Sequence, residues 1–234
     1  MSAIRKLRAL QSGKPLEDGR VSNYEKAKVL TQQRFAAYDP DEIIRRRQVE
    51  HDGQYLYLTF FHRRYRIRKA DGYMEWSLDD FQTVTEAEFN DAMTVYDYLG
   101  DSKADACISG TFVTMEQLNR VQGGTQERTL AKGFFTPYTE HFDGHVPETA
   151  AACEKLGGIR KDKGGDVSYQ FFMLPGFPFW FQFYESDDEF PAAATFLFDR
   201  NACSYLHFET LWYAVCSFLD MVTSCMEEMK TAEP

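Results

Sequence analysis

The stretch 167-VSYQFFMLPGFPFWFQFY-184 contains nine aromatic residues in its last sixteen positions. Pro175-Gly176 separates two runs of strand-forming residues, which predicts a β-hairpin with strands at 167–173 and 177–184. Both strands are largely apolar on both faces, a pattern typical of a sheet that is covered on both sides. We therefore expect this hairpin to form the centre of the fold.

The second strand of the hairpin has two faces, because successive residues of a strand point to opposite sides. One face carries Phe177, Phe179, Phe181 and Phe183, and the other carries Pro178, Trp180, Gln182 and Tyr184. Large apolar side chains usually belong to the core, so the first interpretation is that both faces are covered. The second interpretation is that Trp180 and Tyr184 line a pocket for a flat ligand, since ligand pockets are mostly apolar with few polar groups.

Further strands and helices follow on either side of the hairpin. An acidic bend at 185–189 leads to a predicted strand at 193–198 and to a last helix from about His207 to Lys230. Upstream, strands are predicted at 54–61, 64–68 and 73–76 from their content of aromatic and β-branched residues and their alternation. We expect an α+β fold: an antiparallel or mixed sheet with an aromatic-rich C-terminal hairpin, packed by helices, with a long C-terminal helix.

The predicted domain begins where the sequence patterns of helices and strands begin, after residue 20. Residues 1–20 are polar and interrupted by glycine and proline, which predicts a flexible N-terminal arm. No interior linker or internal repeat is evident, so residues 21–234 are predicted to form a single α+β domain.

Two capping boxes predict helix starts. In Ser22-Asn23-Tyr24-Glu25 the serine would cap the helix and the glutamate would reach back to it, and Thr85-Glu86-Ala87-Glu88 has the same form. We expect one helix to run from Ser22 to about Tyr38 and another to begin at Thr85. Asp39 before Pro40 predicts a further, short helix.

Composition and cysteine usage limit the class of protein. The formal net charge is −10 and the five cysteines are widely spread, which favours free thiols in a reducing compartment. No apolar leader and no run long enough for a membrane helix is present. We expect a cytoplasmic protein that does not bind nucleic acid or a membrane, since nucleic-acid binding normally needs a basic surface.

The charge is unevenly distributed, because residues 45–69 carry eight basic and only two acidic residues. Arg64, Arg66 and Arg68 lie on one face of a predicted strand and could bind a phosphate or an acidic partner through their guanidinium forks. Alternatively, this face is solvated, or it pairs with the acidic remainder of the chain.

Two other segments contain candidate metal ligands. The acidic bend provides Glu185, Asp187, Asp188 and Glu189, and carboxylate oxygens are the ligands that Mg²⁺ and Ca²⁺ prefer. His141 and His145 flank a carboxylate and could chelate a transition metal. The alternatives are a solvated acidic turn and a loop without metal, since neither spacing matches a defined motif.

The C-terminal third also carries short segments that resemble a known family. They are Leu156-Gly157-Gly158, Gly165-Asp166-Val167-Ser168-Tyr169, Leu174-Pro175, Asp188-Glu189-Phe190-Pro191-Ala192, Leu197-Phe198-Asp199 and Tyr205-Leu206 with Glu209. In this order they resemble DUF3786, a family of unknown function, and Tyr98-Leu99 extends the resemblance upstream. The resemblance implies a protein of anaerobic bacteria or archaea, some of whose relatives carry a cysteine-rich iron–sulfur domain. The spread of cysteines here predicts no Cys-ligated iron–sulfur cluster.

The resemblance supplies no catalytic residues, and no nucleophile or phosphate-binding motif is present. We therefore expect a cytoplasmic accessory module of anaerobic metabolism that binds a small molecule or a protein partner. The alternative is a metal-dependent enzyme that uses the acidic bend or the His141/His145 pair.

Overall fold

The computed structural model describes residues 22–121 and 134–232. The N-terminal arm predicted at 1–20 lies outside the described residues. The fold is α+β, with two antiparallel sheets and a long C-terminal helix. In the described part of the chain, no helix is both long and apolar enough to cross a membrane.

The chain forms two compact units. The first contains the described part of Met1–Cys107 together with Cys203–Ala214, and the second contains Ile108–Ala202 and Val215–Pro234, again where described. A single domain over 21–234 stays a prediction, and each unit is described by itself.

In its described residues, the first unit combines three complete helices with a five-stranded sheet. Its elements are α1 (Asn23–Ala36), α2 (Pro40–Arg47), β1 (Glu50–His51), β2 (Tyr55–Phe60), β3 (Arg63–Arg68), β4 (Met74–Ser77), β5 (Thr85–Glu86) and α3 (Phe89–Gly100). The strands pair in chain order, and every pair is antiparallel. Tyr65 and Ile67 are fully buried on one face of β3, as the alternation predicts. Helices α1 and α3 meet through Phe35 and Tyr96, whose rings lie 4.9 Å apart.

Of the three helix starts predicted in this unit, two are correct and one is wrong. Ser22 caps α1, since its hydroxyl accepts the N–H of Glu25 at 3.0 Å, and Asp39 accepts the N–H of Asp41 at 2.9 Å at the start of α2. The capping box predicted at Thr85 is wrong. Thr85 pairs with Trp76 in the sheet, and α3 begins only at Phe89 without a side-chain cap.

The second unit is built on the aromatic hairpin. It contains β6 (Phe112–Thr114), α4 (Met115–Val121), α5 (Thr136–Phe142), α6 (Val146–Lys155), β7 (Ile159–Arg160), β8 (Val167–Leu174), β9 (Phe177–Tyr184) and β10 (Ala193–Asp199). The strand order is β6-β10-β9-β8-β7, so the predicted hairpin, β8 and β9, is flanked by strands on both sides.

The last helix, α7 (Phe208–Ala232), follows a short 3-10 turn at Ala202–Ser204. In the second unit its Phe218 packs against the inner face of the sheet, with ring centroids 5.0 Å from Phe179 and 5.1 Å from Phe181. Phe142 of α5 adds edge contacts to Phe183 at 5.8 Å. All four phenylalanines on this face of β9, Phe177, Phe179, Phe181 and Phe183, are fully buried. Aromatic packing of this kind provides most of the core of the unit.

Candidate functional site

The opposite face of β9 is only partly covered. Tyr184 is 39% exposed and Phe172, on the neighbouring strand, is 54% exposed. Trp180 is half-buried; its indole N–H donates to the hydroxyl of Ser168 at 2.9 Å, and its ring meets Phe112 edge-on at 5.8 Å. The polar group of Trp180 is thus bonded within the protein, and binding of a flat ligand on this face stays a prediction.

The arginine strand β3 is paired with acidic residues of its own unit. Arg64 contacts Glu50 at 2.7 Å and Asp80 at 2.8 Å. Arg66 donates to Glu75 at 2.6 Å, and Arg68 forms two hydrogen bonds with Asp71, at 2.7 and 2.8 Å. Their guanidinium groups also lie over aromatic rings, for example Arg66 over Phe81 at 4.6 Å. The arrangement matches the alternative in which this face pairs with acidic residues of the same chain.

The acidic bend and the histidine pair were predicted as separate features, and in the second unit they lie side by side. The N–H of Gly144 donates to Glu185 at 3.1 Å, while the N–H and hydroxyl of Ser186 donate to Asp143 at 2.9 and 2.8 Å. These bonds from Ser186 lower the pKa of Asp143. The rings of His141 and His145 stack with centroids 6.4 Å apart.

Within the bend itself, the acids have separate surroundings. Asp187 accepts the N–H groups of Glu189 and Phe190, both at 2.8 Å, which is the geometry of a local turn. Asp188 and Glu189 are exposed. Within residues 22–121 and 134–232, the fold does not bring three potential ligand atoms of these acids and histidines close together.

Asp199, which ends the Leu197-Phe198-Asp199 segment, is fully buried. Its carboxylate accepts the N–H of Ser109 at 3.0 Å, the N–H of Gly110 at 2.8 Å and the N–H of Asn201 at 2.8 Å. A buried carboxylate with this many donors is satisfied by them. Asp199 therefore holds the backbone at the end of β10 and before β6.

The first unit contains a cluster that the sequence analysis did not single out. Asp97, Asp101 and His207 each bring one potential ligand atom to within 4.8 Å of the others. Asp97 and Asp101 are four residues apart at the end of α3, so they lie on the same side of the helix. His207 comes from the segment immediately before α7.

Asp97 fixes His207 in two ways. One carboxylate oxygen accepts the backbone N–H of His207 at 2.8 Å, and the other lies 2.6 Å from the imidazole Nδ1. The Asp97 side chain is buried, with 8% exposed, whereas that of His207 is 70% exposed. An ionised carboxylate can only accept a hydrogen bond, so the proton of this contact belongs to Nδ1.

Asp101 is held from the side of α1. It accepts from Arg34 at 2.7 Å and from the hydroxyl of Tyr38 at 2.8 Å, both on the same oxygen, Oδ1. Asp101 raises the pKa of Arg34, and burial together with this hydrogen bond raises the pKa of Tyr38. Gly100 permits the contact, because a Cβ at that position would collide with the ring of Tyr38.

The end of α3 is an unusual place for two carboxylates, because the helix dipole disfavours negative charge at a C-terminus. The last turn of α3 has no basic residue. Compensation comes from α2: Arg46 donates to the carbonyls of Leu99 at 2.6 Å and Gly100 at 2.8 Å. Residues that violate a local structural preference are expected at functional sites. The two acids at the C-terminal end of α3 are therefore the signal in the sequence from which the cluster could have been predicted.

The cluster offers one imidazole nitrogen and several carboxylate oxygens at a partly exposed position. Such a set can hold a divalent transition-metal ion. It can also act as a proton acceptor, since a carboxylate that orients a histidine is the arrangement found in general bases. Among the described residues, these three form the group of potential metal ligands whose atoms all lie within 4.8 Å of one another.

A family model described as a domain of unknown function, DUF3786, matches residues 39–221 of the chain. The match includes Asp97, Asp101 and His207. No curated protein and no solved structure is significantly similar to the chain.

Proposed function

We propose that this chain, which belongs to the DUF3786 family, is a cytoplasmic binding module of anaerobic metabolism that takes a divalent transition-metal ion at Asp97, Asp101 and His207. The observation that carries the proposal is the approach of three potential ligand atoms to within 4.8 Å of one another. The family resemblance supports the metabolic setting, and five cysteines without a disulfide support a reducing compartment.

The donor set favours a borderline ion such as Zn²⁺, Mn²⁺, Fe²⁺, Co²⁺ or Ni²⁺ over Ca²⁺, which prefers oxygen ligands alone. The ion would take the place of the proton between Asp97 and His207 Nδ1, and the neutral ring would carry its proton on Nε2. Three protein ligands leave at least one coordination position for water or a bound molecule.

The surrounding structure also fits a cation. The C-terminal end of a helix carries partial negative charge, and both carboxylates add to it. Asp97 is buried and bonded to the backbone N–H of His207 at 2.8 Å, so two ligands are already held in place. Asp101 can keep Arg34 on Oδ1 and offer its second oxygen to the ion.

Removing the imidazole should weaken metal binding. We expect the metal-free wild-type protein to bind one equivalent of Zn²⁺ or Co²⁺, and His207→Ala to bind at least about ten-fold more weakly, because one ligand is lost. Isothermal titration measures both affinities. His51→Ala is the matched control, since His51 is an exposed histidine of the same unit, and its affinity should equal that of the wild type.

The same titration tests the second candidate function, a metal-dependent enzyme whose ion is bound by the His141/His145 pair or by the acidic bend. That candidate is kept because Gly144 and Asp143 lie against Glu185 and Ser186. If His145→Ala weakens binding and His207→Ala does not, the ion binds in the second unit and the proposed site is wrong. If the wild-type protein binds no divalent ion, both proposals fail.

A further inference from the structure

Three arginines converge on residues 99–103, at the end of α3 and just after it. Arg34 donates to Asp101 at 2.7 Å, Arg46 donates to the carbonyls of Leu99 and Gly100, and Arg47 donates to the carbonyl of Lys103 at 2.9 Å. Arg47 also lies between two rings, 5.4 Å from Tyr98 and 5.9 Å from Tyr205. The guanidinium groups are thus held by the fold close to the metal-ligand cluster.

Among the acids of the cluster and the arginines bonded to residues 99–103, positive charge exceeds negative charge. Asp97 and Asp101 contribute two negative charges, whereas Arg34, Arg46 and Arg47 contribute three positive charges within hydrogen-bonding distance of residues 99–103. A divalent ion would add two more positive charges, while the neutral imidazole adds none. A site with an excess of positive charge attracts an anion.

Arg34 is the arginine that can reach such an anion. Its side chain is 63% exposed; Nη2 donates to Asp101, and the guanidinium also lies 5.8 Å from the ring centroid of Tyr38. The guanidinium group has five N–H donors in a planar fork that matches the oxygens of a carboxylate or phosphate. Asp101 anchors one side of this fork, so little side-chain entropy remains to be lost when an anion binds the other side.

We infer that the metal-loaded site binds an oxyanion, the carboxylate or phosphate group of a small molecule, between the open coordination position of the ion and the guanidinium of Arg34. This inference rests on the proposed metal site and adds its ligand class. One oxygen of the anion coordinates the ion, and another accepts a charge-assisted hydrogen bond from Arg34. The anion balances the positive charge that the ion and the arginines leave.

The test uses the full chain loaded with Co²⁺, after the metal isotherm has been measured without added anion. Acetate and inorganic phosphate are titrated separately, and binding is followed by isothermal titration and by the visible absorption of Co²⁺, which changes when a ligand enters the coordination sphere. We expect at least one of the two anions to bind the loaded protein and to change the Co²⁺ spectrum. Acetate alone identifies a carboxylate ligand and phosphate alone a phosphate ligand.

Arg34→Gln should weaken binding of that anion by about ten- to a hundred-fold, since one charge-assisted hydrogen bond is lost. It should not weaken Co²⁺ binding, because Asp101 is freed from its cation. Arg45→Gln is the matched control, because Arg45 is exposed on the neighbouring helix α2. This substitution removes the same charge and should leave the anion affinity unchanged.

The outcomes separate the two proposals. If Co²⁺ does not bind, the metal site itself fails. If Co²⁺ binds and neither anion binds, or if anions bind the metal-free protein equally well, the metal site stands and the oxyanion site is overturned. Equal loss of anion affinity in Arg34→Gln and Arg45→Gln would also overturn it, since the effect would then be one of general charge.

Discussion

Replacement of Phe179 by alanine should lower the free energy of unfolding by about 3–5 kcal/mol, the usual cost of removing a large buried aromatic side chain. Phe179 is fully buried on the inner face of β9. Its ring lies 5.0 Å from Phe218, 5.4 Å from Phe198 and 6.3 Å from Phe171. Because these neighbours come from a helix and two other strands, the cavity cannot close by the movement of one side chain. Urea unfolding followed by circular dichroism measures the effect.

Phe172→Ala is the matched control, since it removes the same side chain from the same hairpin on the opposite face. Phe172 is 54% exposed, so we expect a loss of less than about 1 kcal/mol. Similar losses in the two variants would mean that the two faces of the hairpin are equally buried, which would contradict the assignment of the core to one side.

The second large effect concerns Asp97. Asp97→Asn should weaken binding of Zn²⁺ or Co²⁺ by about a hundred-fold or more, at the upper end of the losses seen when groups around a metal are removed. The amide is a poor metal ligand, and its shape still allows a hydrogen bond to the backbone of His207. The variant therefore loses the carboxylate charge while the segment before α7 keeps its position. Isothermal titration on the metal-free protein gives the affinity.

Asp105→Asn is the control for this change, because Asp105 is an exposed acid close in sequence to the cluster. Its metal affinity should equal that of the wild type, and the far-UV spectra of both variants should match it as well. A wild-type affinity in Asp97→Asn would exclude Asp97 as a ligand and would remove the buried member of the proposed site.

The fold was predictable where one simple pattern dominates. Strand β9 occupies residues 177–184 as expected, and the alternation correctly placed its four phenylalanines on one face, which is fully buried. The prediction was limited where two local signals compete. Thr85-Glu86-Ala87-Glu88 has the form of a capping box, but Glu86 and Thr85 pair with β4, because completing a sheet edge outweighs a side-chain cap of about 1 kcal/mol.

The site was less predictable than the fold, because its members are far apart in the chain. His207 lies 110 residues from Asp97, and a sequence without a known motif does not indicate that they meet. The acidic bend and the His141/His145 pair were predicted as metal sites because their residues lie close together in sequence. The weaker signal was the pair of acids at the C-terminal end of α3, Asp97 and Asp101. The structure brings these two residues together with His207.

The crystallographic position of a bound metal tests the central claim most directly. Crystals grown from protein loaded with one equivalent of Zn²⁺ or Co²⁺ would be measured at the absorption edge of the metal, and the anomalous difference map would locate the ion. The metal-site hypothesis predicts a single peak about 2.0–2.2 Å from atoms of Asp97, Asp101 and His207. A peak beside His141 and His145, or the absence of any peak within the first unit, would contradict it.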